Sequence, residues 1–413
     1  MTTDSSLPRL LTAASLLAAA VLLLSPSPSA AKAPGGFSAS EIKSILPLVR
    51  KHGMIGLSEV SADGKNTSMT LAIRVDAKRD QVFKVFENPE NFYYISTLFK
   101  ENNVLQQHDN NKAWSWASRH KLFSFTGTNT IALYPPRRAD VKIADSTVGD
   151  GEFTFTLHED GPEHTIVILA GFLDVQTSEW LIRYLLGGNP AMKQAMNVAI
   201  GMVVIKGVKS MAELMATGKP LEKHRTRGKA GGKLQPLTGK ELVALAPLLV
   251  RGQVIVSDSH RKGRLDQVTV VDTFSSPAQK VLDAVSAPTN FQKMISAITE
   301  VKVHEAAEDH VDFSWTLGFS VFGISSRNRM TPAESGVLVE GVEGDLKGAK
   351  WLWQIVPVEE NRTVVAYHGY ANVGRTAYIM KKTVNREPYL EHGVMAGSNM
   401  VMMRAIKRAV EKK

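Results

Sequence analysis

Asn88-Pro89-Glu90-Asn91-Phe92 returns as Ala287-Pro288-Thr289-Asn290-Phe291, 199 residues further along a chain of 413. Held at that offset, the two stretches keep matching in both directions. Val82 meets Val281, Glu101 meets Glu300, and Ser115-Trp116 meets Ser314-Trp315; Phe123 meets Phe322 and Asn129 meets Asn328. Tryptophan and phenylalanine are scarce here, so their coincidence marks a duplication. The period is far too long for a solenoid repeat, so each copy is expected to be a whole domain with its own core.

The match widens outward. Ser38-Ala39-Ser40-Glu41 and Thr238-Gly239-Lys240-Glu241 are both capping-box patterns that open a helix. Each helix then meets a proline, Pro47 and Pro247. Towards the other end Gly171 aligns with Gly369, Pro190 with Pro388, and Met202-Val203 with Met400-Val401. The duplicated unit therefore spans 38–216 and 238–413.

Within a unit the periodicities are legible. Met69, Leu71, Ile73 and Val75 alternate along a half-buried strand. An amphipathic helix follows from Lys78, with Val82, Phe83 and Phe86 on one side, and Pro89 restarts a second short helix. Then come strands near 98–106, 112–120, 122–132, 138–145, 151–158 and 163–173, separated by turn residues such as Asp109-Asn110-Asn111 and Pro135-Pro136. Pro190 opens a long helix that closes at Ala216, before Thr217-Gly218. The second copy repeats the order and ends in a helix over 388–411.

This order resembles the helix-grip fold of the START-like (SRPBCC, polyketide cyclase and lipid-transport) superfamily. The motif that carries the resemblance is the passage quoted first. The first copy departs from the pattern in having Lys78 where the second copy has Pro277 to open the helix. The implied fold class is α+β, two tandem grips, each a curved antiparallel sheet wrapped around its long C-terminal helix. The resemblance also implies a cavity between sheet and helix, and the residues fit an apolar wall for one. Trp114 and Trp116 share a strand face, as do Phe313 and Trp315. Phe153 and Phe155 alternate with polar neighbours, as do Trp351 and Trp353. The long helices bring Met192, Met196 and Ile200, and Met395 and Met400. Phe123 and Phe322 complete the expected lining. Gly393 and Gly397 leave room inside the second helix for either a crossing backbone or a ligand, and Gly397 is counted with the cavity. Ser118 and His120 are a polar handle that the second copy replaces with Leu317 and Phe319. Asn129 and Asn328 are placed either to orient a ligand head group or to satisfy a local turn. Asp272 falls on an apolar face where the first copy has Ile73, so it needs a partner, for which Arg327 or Arg329 is the expectation.

The function read from this is non-covalent binding, and transfer, of an apolar small molecule of the lipid class by a monomer. No cofactor or metal is expected. His304-Glu305-Ala306-Ala307-Glu308-Asp309-His310 lacks metalloprotease spacing and reads as a solvated turn. Two other classes stay open: a cyclase- or hydrolase-type enzyme with His120 as base, and an interaction module with filled interiors.

The first residues read as a secretory signal peptide, 1–31. Arg9 precedes a fifteen-residue, largely apolar stretch from Leu10 to Leu24, and Ser29-Ala30-Ala31 offers a cleavage site. The expected location is periplasmic or secreted. The chain has no cysteine, which excludes disulfides and thiolate chemistry. Its net charge of +9 is concentrated in the 217–237 connector and Lys240, where seven basic residues face Glu222 alone. That pattern argues for a solvated, flexible linker with an affinity for anionic membrane surfaces, and against nucleic acid. Trp180 and Tyr184 before the first long helix, and Tyr378, Lys381 and Lys382 before the second, suit lids that touch a membrane.

Overall fold

A computed structural model describes residues 36–60, 67–97, 99–119, 124–174, 177–178, 190–220, 234–259, 264–295, 297–319, 322–375 and 387–412. The expected signal peptide, the two lid segments and most of the basic connector lie outside these residues.

Each copy begins with a capped helix, α1 (Ala39–His52) or α5 (Gly239–Leu249), in which both capping boxes form as read from the sequence. Two strands follow, β1 (Gly53–Val60) and β2 (Thr67–Val75) in the first copy, β9 (Gln253–Ser259) and β10 (Leu265–Phe274) in the second. The short helices are α2 (Arg79–Glu87) and α3 (Phe92–Ile95), matched by α6 (Ala278–Ser286) and α7 (Pro288–Met294). Six-strand meanders come next. In the first copy they are β3 (Phe99–His108), β4 (Asn111–Arg119), β5 (Ser124–Tyr134), β6 (Arg138–Ala144), β7 (Asp150–Glu159) and β8 (Thr165–Asp174). In the second they are β11 (Ile298–Ala306), β12 (Val311–Phe319), β13 (Phe322–Ala333), β14 (Gly336–Gly344), β15 (Lys350–Glu359) and β16 (Arg362–Tyr370). The long helices α4 (Pro190–Ala216) and α8 (Leu390–Glu411) close the units.

The repeated Pro-x-Asn-Phe passage has a structural job. Asn91 Nδ2 donates to the carbonyls of Lys84 and Val85, and Asn290 Nδ2 to those of Asp283 and Ala284. Each asparagine thus satisfies carbonyls that the last turn of the preceding helix leaves free. The phenylalanine after it enters the core, with Phe92 4.7 Å from Trp114 and Phe291 6.0 Å from Trp315, centroid to centroid.

The two copies are not separate bodies. Their strands form one 16-stranded sheet, joined where β1 pairs antiparallel with β9. Gly53 pairs with Asp258 and Ser58 with Gln253, so the register is self-complementary about a point between Ile55 and Gly56. Contacts around the seam obey the same pseudo-two-fold relation. Arg251 donates to Glu41 and, at 3.0 and 2.9 Å, to Glu59; Lys51 and His52 donate to Glu241 at 2.6 and 2.9 Å. One face of the joined strands is covered by α1 and α5, the other by α4 and α8.

The long helices cross through small residues. A Cβ built on Gly393 would sit 2.9 Å from the Ala199 backbone, and one on Gly397 3.3 Å from the Ala195 Cβ. The room at Gly397 is therefore occupied by a crossing helix, not by a cavity, which corrects the expectation for that residue. The connector's far end is also pinned rather than flexible. Leu237 is buried, and its backbone exchanges hydrogen bonds with the side-chain amide of Gln354 at 3.1 and 2.8 Å, as the Gln235 backbone does with the side-chain amide of Gln267 at 2.8 and 3.0 Å.

Two predictions follow from the seam. Gly393→Leu drives a side chain into the α4 backbone and is expected to lower stability by about 1–3 kcal/mol in urea unfolding. Glu241 is held down at about 2 from an ordinary 4.5: burial pushes it up, but hydrogen bonds from Lys51, Thr238 and His52 outweigh burial. A depressed carboxyl stabilises the fold above its unfolded value and loses that contribution as pH falls. The stability gap between wild type and Glu241→Gln is therefore expected to narrow between pH 4.5 and 2. A gap that stays constant across that window contradicts the assignment.

Candidate ligand site inside the two grips

The expected wall residues are brought together, mostly as packed core. Trp114, Trp116, Phe153 and Phe155 are buried in the first copy, and Phe313, Trp315, Trp351 and Trp353 in the second. Ring pairs tie them to the short helices and to each other: Phe86 to Phe155 at 4.8 Å, Phe99 to Trp116 at 5.5 Å, Trp315 to Trp351 at 5.9 Å. Met395 and Met400 are buried as well. His120 and Phe123 lie outside the described residues, and Phe322 is placed in β13 without a described side chain.

The long helices behave differently on one face. In α4, Ala195 and Ala199 meet α8, while Gly201 meets Met69 and Leu71 of β2. Met192, Met196, Ile200 and Val203 occupy the remaining sector, and all four are only half-buried. Along the same side Gly207 comes up against Ile95 of α3. In α8 the aligned positions are Leu390, Val394, Ser398 and Val401, and Ser398 is exposed while the others are half-buried. Half-buried Phe99, Phe125 and Ile143 of the first sheet, and Leu317 and Ile324 of the second, also pack at the margin of the core.

Polar groups within the walls differ between copies. Trp116 Nε1 donates to Asn129 Oδ1 at 2.9 Å, so Asn129 serves a buried indole rather than a turn. In the second copy Asn328 turns to Ser326, accepting from its hydroxyl at 3.0 Å and donating to its carbonyl at 3.2 Å. Asp272 does not meet the arginines expected for it. It accepts from Lys407 Nζ at 2.8 Å and Gln253 Nε2 at 2.9 Å, while Arg329 donates to both oxygens of Asp312 at 2.8 and 3.0 Å. The long side chain of α8 lies directly over β10, whereas β13 is several strands away.

The His304–His310 stretch is the β11–β12 turn. Glu305, His310 and Asp312 bring their ligand atoms within 4.8 Å of one another. Asp312 is nonetheless committed to Arg329, whose hydrogen bonds hold its carboxyl below the usual range, and His310 Nδ1 faces Asp309 at 2.8 Å. A cation there would have to displace a guanidinium. Two open surface grooves are also formed by described residues. One lies between α6 and the β11–β12 and β13–β14 hairpins, the other across β3 to β7.

Lys206 escaped the sequence reading. It is buried on α4 beside the seam, its Nζ donates to Ser259 Oγ at 2.9 Å, and burial together with Lys209 pushes it down to about 7 against the pull of Glu391 and Asp258. The signal was its spacing: Ala195, Ala199, Met202 and Lys206 share one helix face.

Each copy thus sets a meander and two short helices around one long helix. The arrangement is an α+β helix grip, present twice. No family model matches the chain, and no curated protein matches it. Among solved structures it is similar to the di-domain ARO/CYC StfQ from the steffimycin biosynthetic pathway, at 11% identity and a TM-score of 0.29 over 83% of this chain and 98% of that one. It is similar also to a STAR-related lipid transfer protein (fragment 25-204) from Xanthomonas axonopodis, at 15% identity and a TM-score of 0.27 over 36% and 93%. A START superfamily protein from Mycobacterium smegmatis gives 11% identity and a TM-score of 0.30 over 36% and 98%. At these values nothing about activity follows from the likeness.

Asn129→Leu strips the buried Trp116 N–H of its acceptor and is expected to cost about 1–3 kcal/mol of stability in urea unfolding. Asn328→Leu leaves no indole newly unpaired and is expected to cost less.

Proposed function

We propose that the grips bind an apolar small molecule of the lipid class without covalent chemistry, and carry it between membranes. The observation that supports this is the matched stripe of Met192, Met196, Ile200 and Val203 on α4 and its counterpart on α8. Both other faces of each helix are spent on β-strands and on the partner helix. Apolar side chains kept half-buried at three of the four aligned positions in both copies, with Ser398 opposite Ile200 as the exception, suit a guest. Burying on the order of 300 Å² of ligand in such a trough contributes about 7 kcal/mol before ordering costs. Methionine, unbranched and polarizable, adapts well to guests of varied shape.

Export to the periplasm or the outside, and exchange at an anionic membrane through Trp180, Tyr184, Tyr378, Lys381, Lys382 and the basic connector, complete the proposal. Among the described residues no helix is long and apolar enough to cross a membrane.

Organic extraction of the purified protein followed by mass spectrometry tests the reading. A lipid that recurs between preparations, and that falls severalfold in Met196→Asp/Val394→Asp, is the expected result. Extracts indistinguishable from those of an unrelated protein purified in parallel would sink it.

A further inference from the structure

We infer that the second grip selects an apolar ligand carrying a neutral hydrogen-bond acceptor, and that the indole N–H of Trp315 is the group that reads it. The inference deepens the proposed function and rests on it.

The duplication supplies an internal comparison. In the first copy the indole N–H of Trp116 is spent on Asn129. That geometry depends on Gly127: a Cβ there would lie 2.7 Å from the Trp116 ring. The aligned residue of the second copy, paired with Trp315 as Gly127 is with Trp116, is Ser326, so a Cβ and hydroxyl stand where the first copy lets the Trp116 ring come close. The hydroxyl also captures Asn328 Oδ1, and the Asn328 amide is drawn to the Ser326 carbonyl. Trp315 Nε1 is left buried with no acceptor among the described residues, in a side chain only 4% exposed.

An indole can only donate, and a buried donor without a partner is expensive. The single Gly-to-Ser difference therefore converts a satisfied wall into one that presents a free N–H. The rings packed against it are Phe291, Phe313 and Trp351, all uncharged. This collar gives a water molecule few other partners and makes a carboxylate costly to bury. A ketone, ester or ether oxygen on an otherwise apolar body satisfies both conditions.

Two fluorescent probes of one shape test this with the full chain: a 2-acylnaphthalene ketone and the alkylnaphthalene in which CH₂ replaces the carbonyl. The readout is the ratio of their affinities by titration. Trp315→Phe keeps an aromatic ring and removes only the donor; it is expected to lower the ketone-to-hydrocarbon ratio about tenfold while hydrocarbon binding holds. Ser326→Gly frees Asn328 to accept from Trp315, as in the first copy, and is expected to lower the ratio similarly. It also serves as the test if Trp315→Phe does not fold. An unchanged ratio in the folded variants overturns the inference and leaves apolar binding standing. Failure of the wild type to take up either probe removes the proposed function and this inference with it.

Discussion

The antiparallel pairing of β1 with β9 is the constraint on which the rest of the molecule hangs. Split at that line, each half would present an unpaired and largely buried strand as an open edge, the kind that proteins rarely leave uncovered. Joined, the two edges satisfy each other, and the self-complementary register fixes one half against the other. The helices on either face are then obliged to meet: α1 against α5 on one side, α4 across α8 on the other. Alanine and glycine at the crossing permit the close approach that the continuous sheet demands. Reciprocal ion pairs, Glu41 with Arg251 and Glu241 with Lys51, lock the same two-fold relation at the rim.

Because the seam consumes one face of each long helix and the central strands another, a single sector of each remains for the grip. Diversity between the copies is concentrated around these shared contacts. Ile73 in the first copy becomes Asp272 in the second, held by Lys407 from α8. Gly127 becomes Ser326, and the hydrogen bonding of two aligned tryptophans changes with it. A duplicated scaffold with diverged interiors suits two non-identical guests, or one guest held in two ways.

Much of this was legible in the sequence. The 199-residue echo, the two capping boxes, the meander strands and the span Pro190–Ala216 all follow from local chemistry: turn residues, period-two alternation, proline at a helix start. The strands β1 and β9 were not read, and the reason is physical. Gly53–Val60 and Gln253–Ser259 are covered on both faces, so they show a continuous buried run in place of alternation. Without them the continuous sheet was invisible and the halves looked like beads on a flexible connector. The same gap hid the meaning of Gly393 and Gly397, since only the crossing helix distinguishes a close approach from a cavity. The aromatic walls were found by alternation, but their closure into packed core depends on contacts that no single strand records. Asp272 needed a cation, and the sequence offered several; only the position of α8 over β10 selects Lys407.

The proposed function requires each grip to keep apolar space beside its long helix. Diffraction from crystals pressurised with xenon tests it directly, because xenon settles in dry apolar voids and not in well-packed cores. Xenon density next to Met196 and Ile200, repeated next to Val394 at the aligned place in the second copy, is the predicted result. Side chains closing both sites, with no xenon in either, would contradict it.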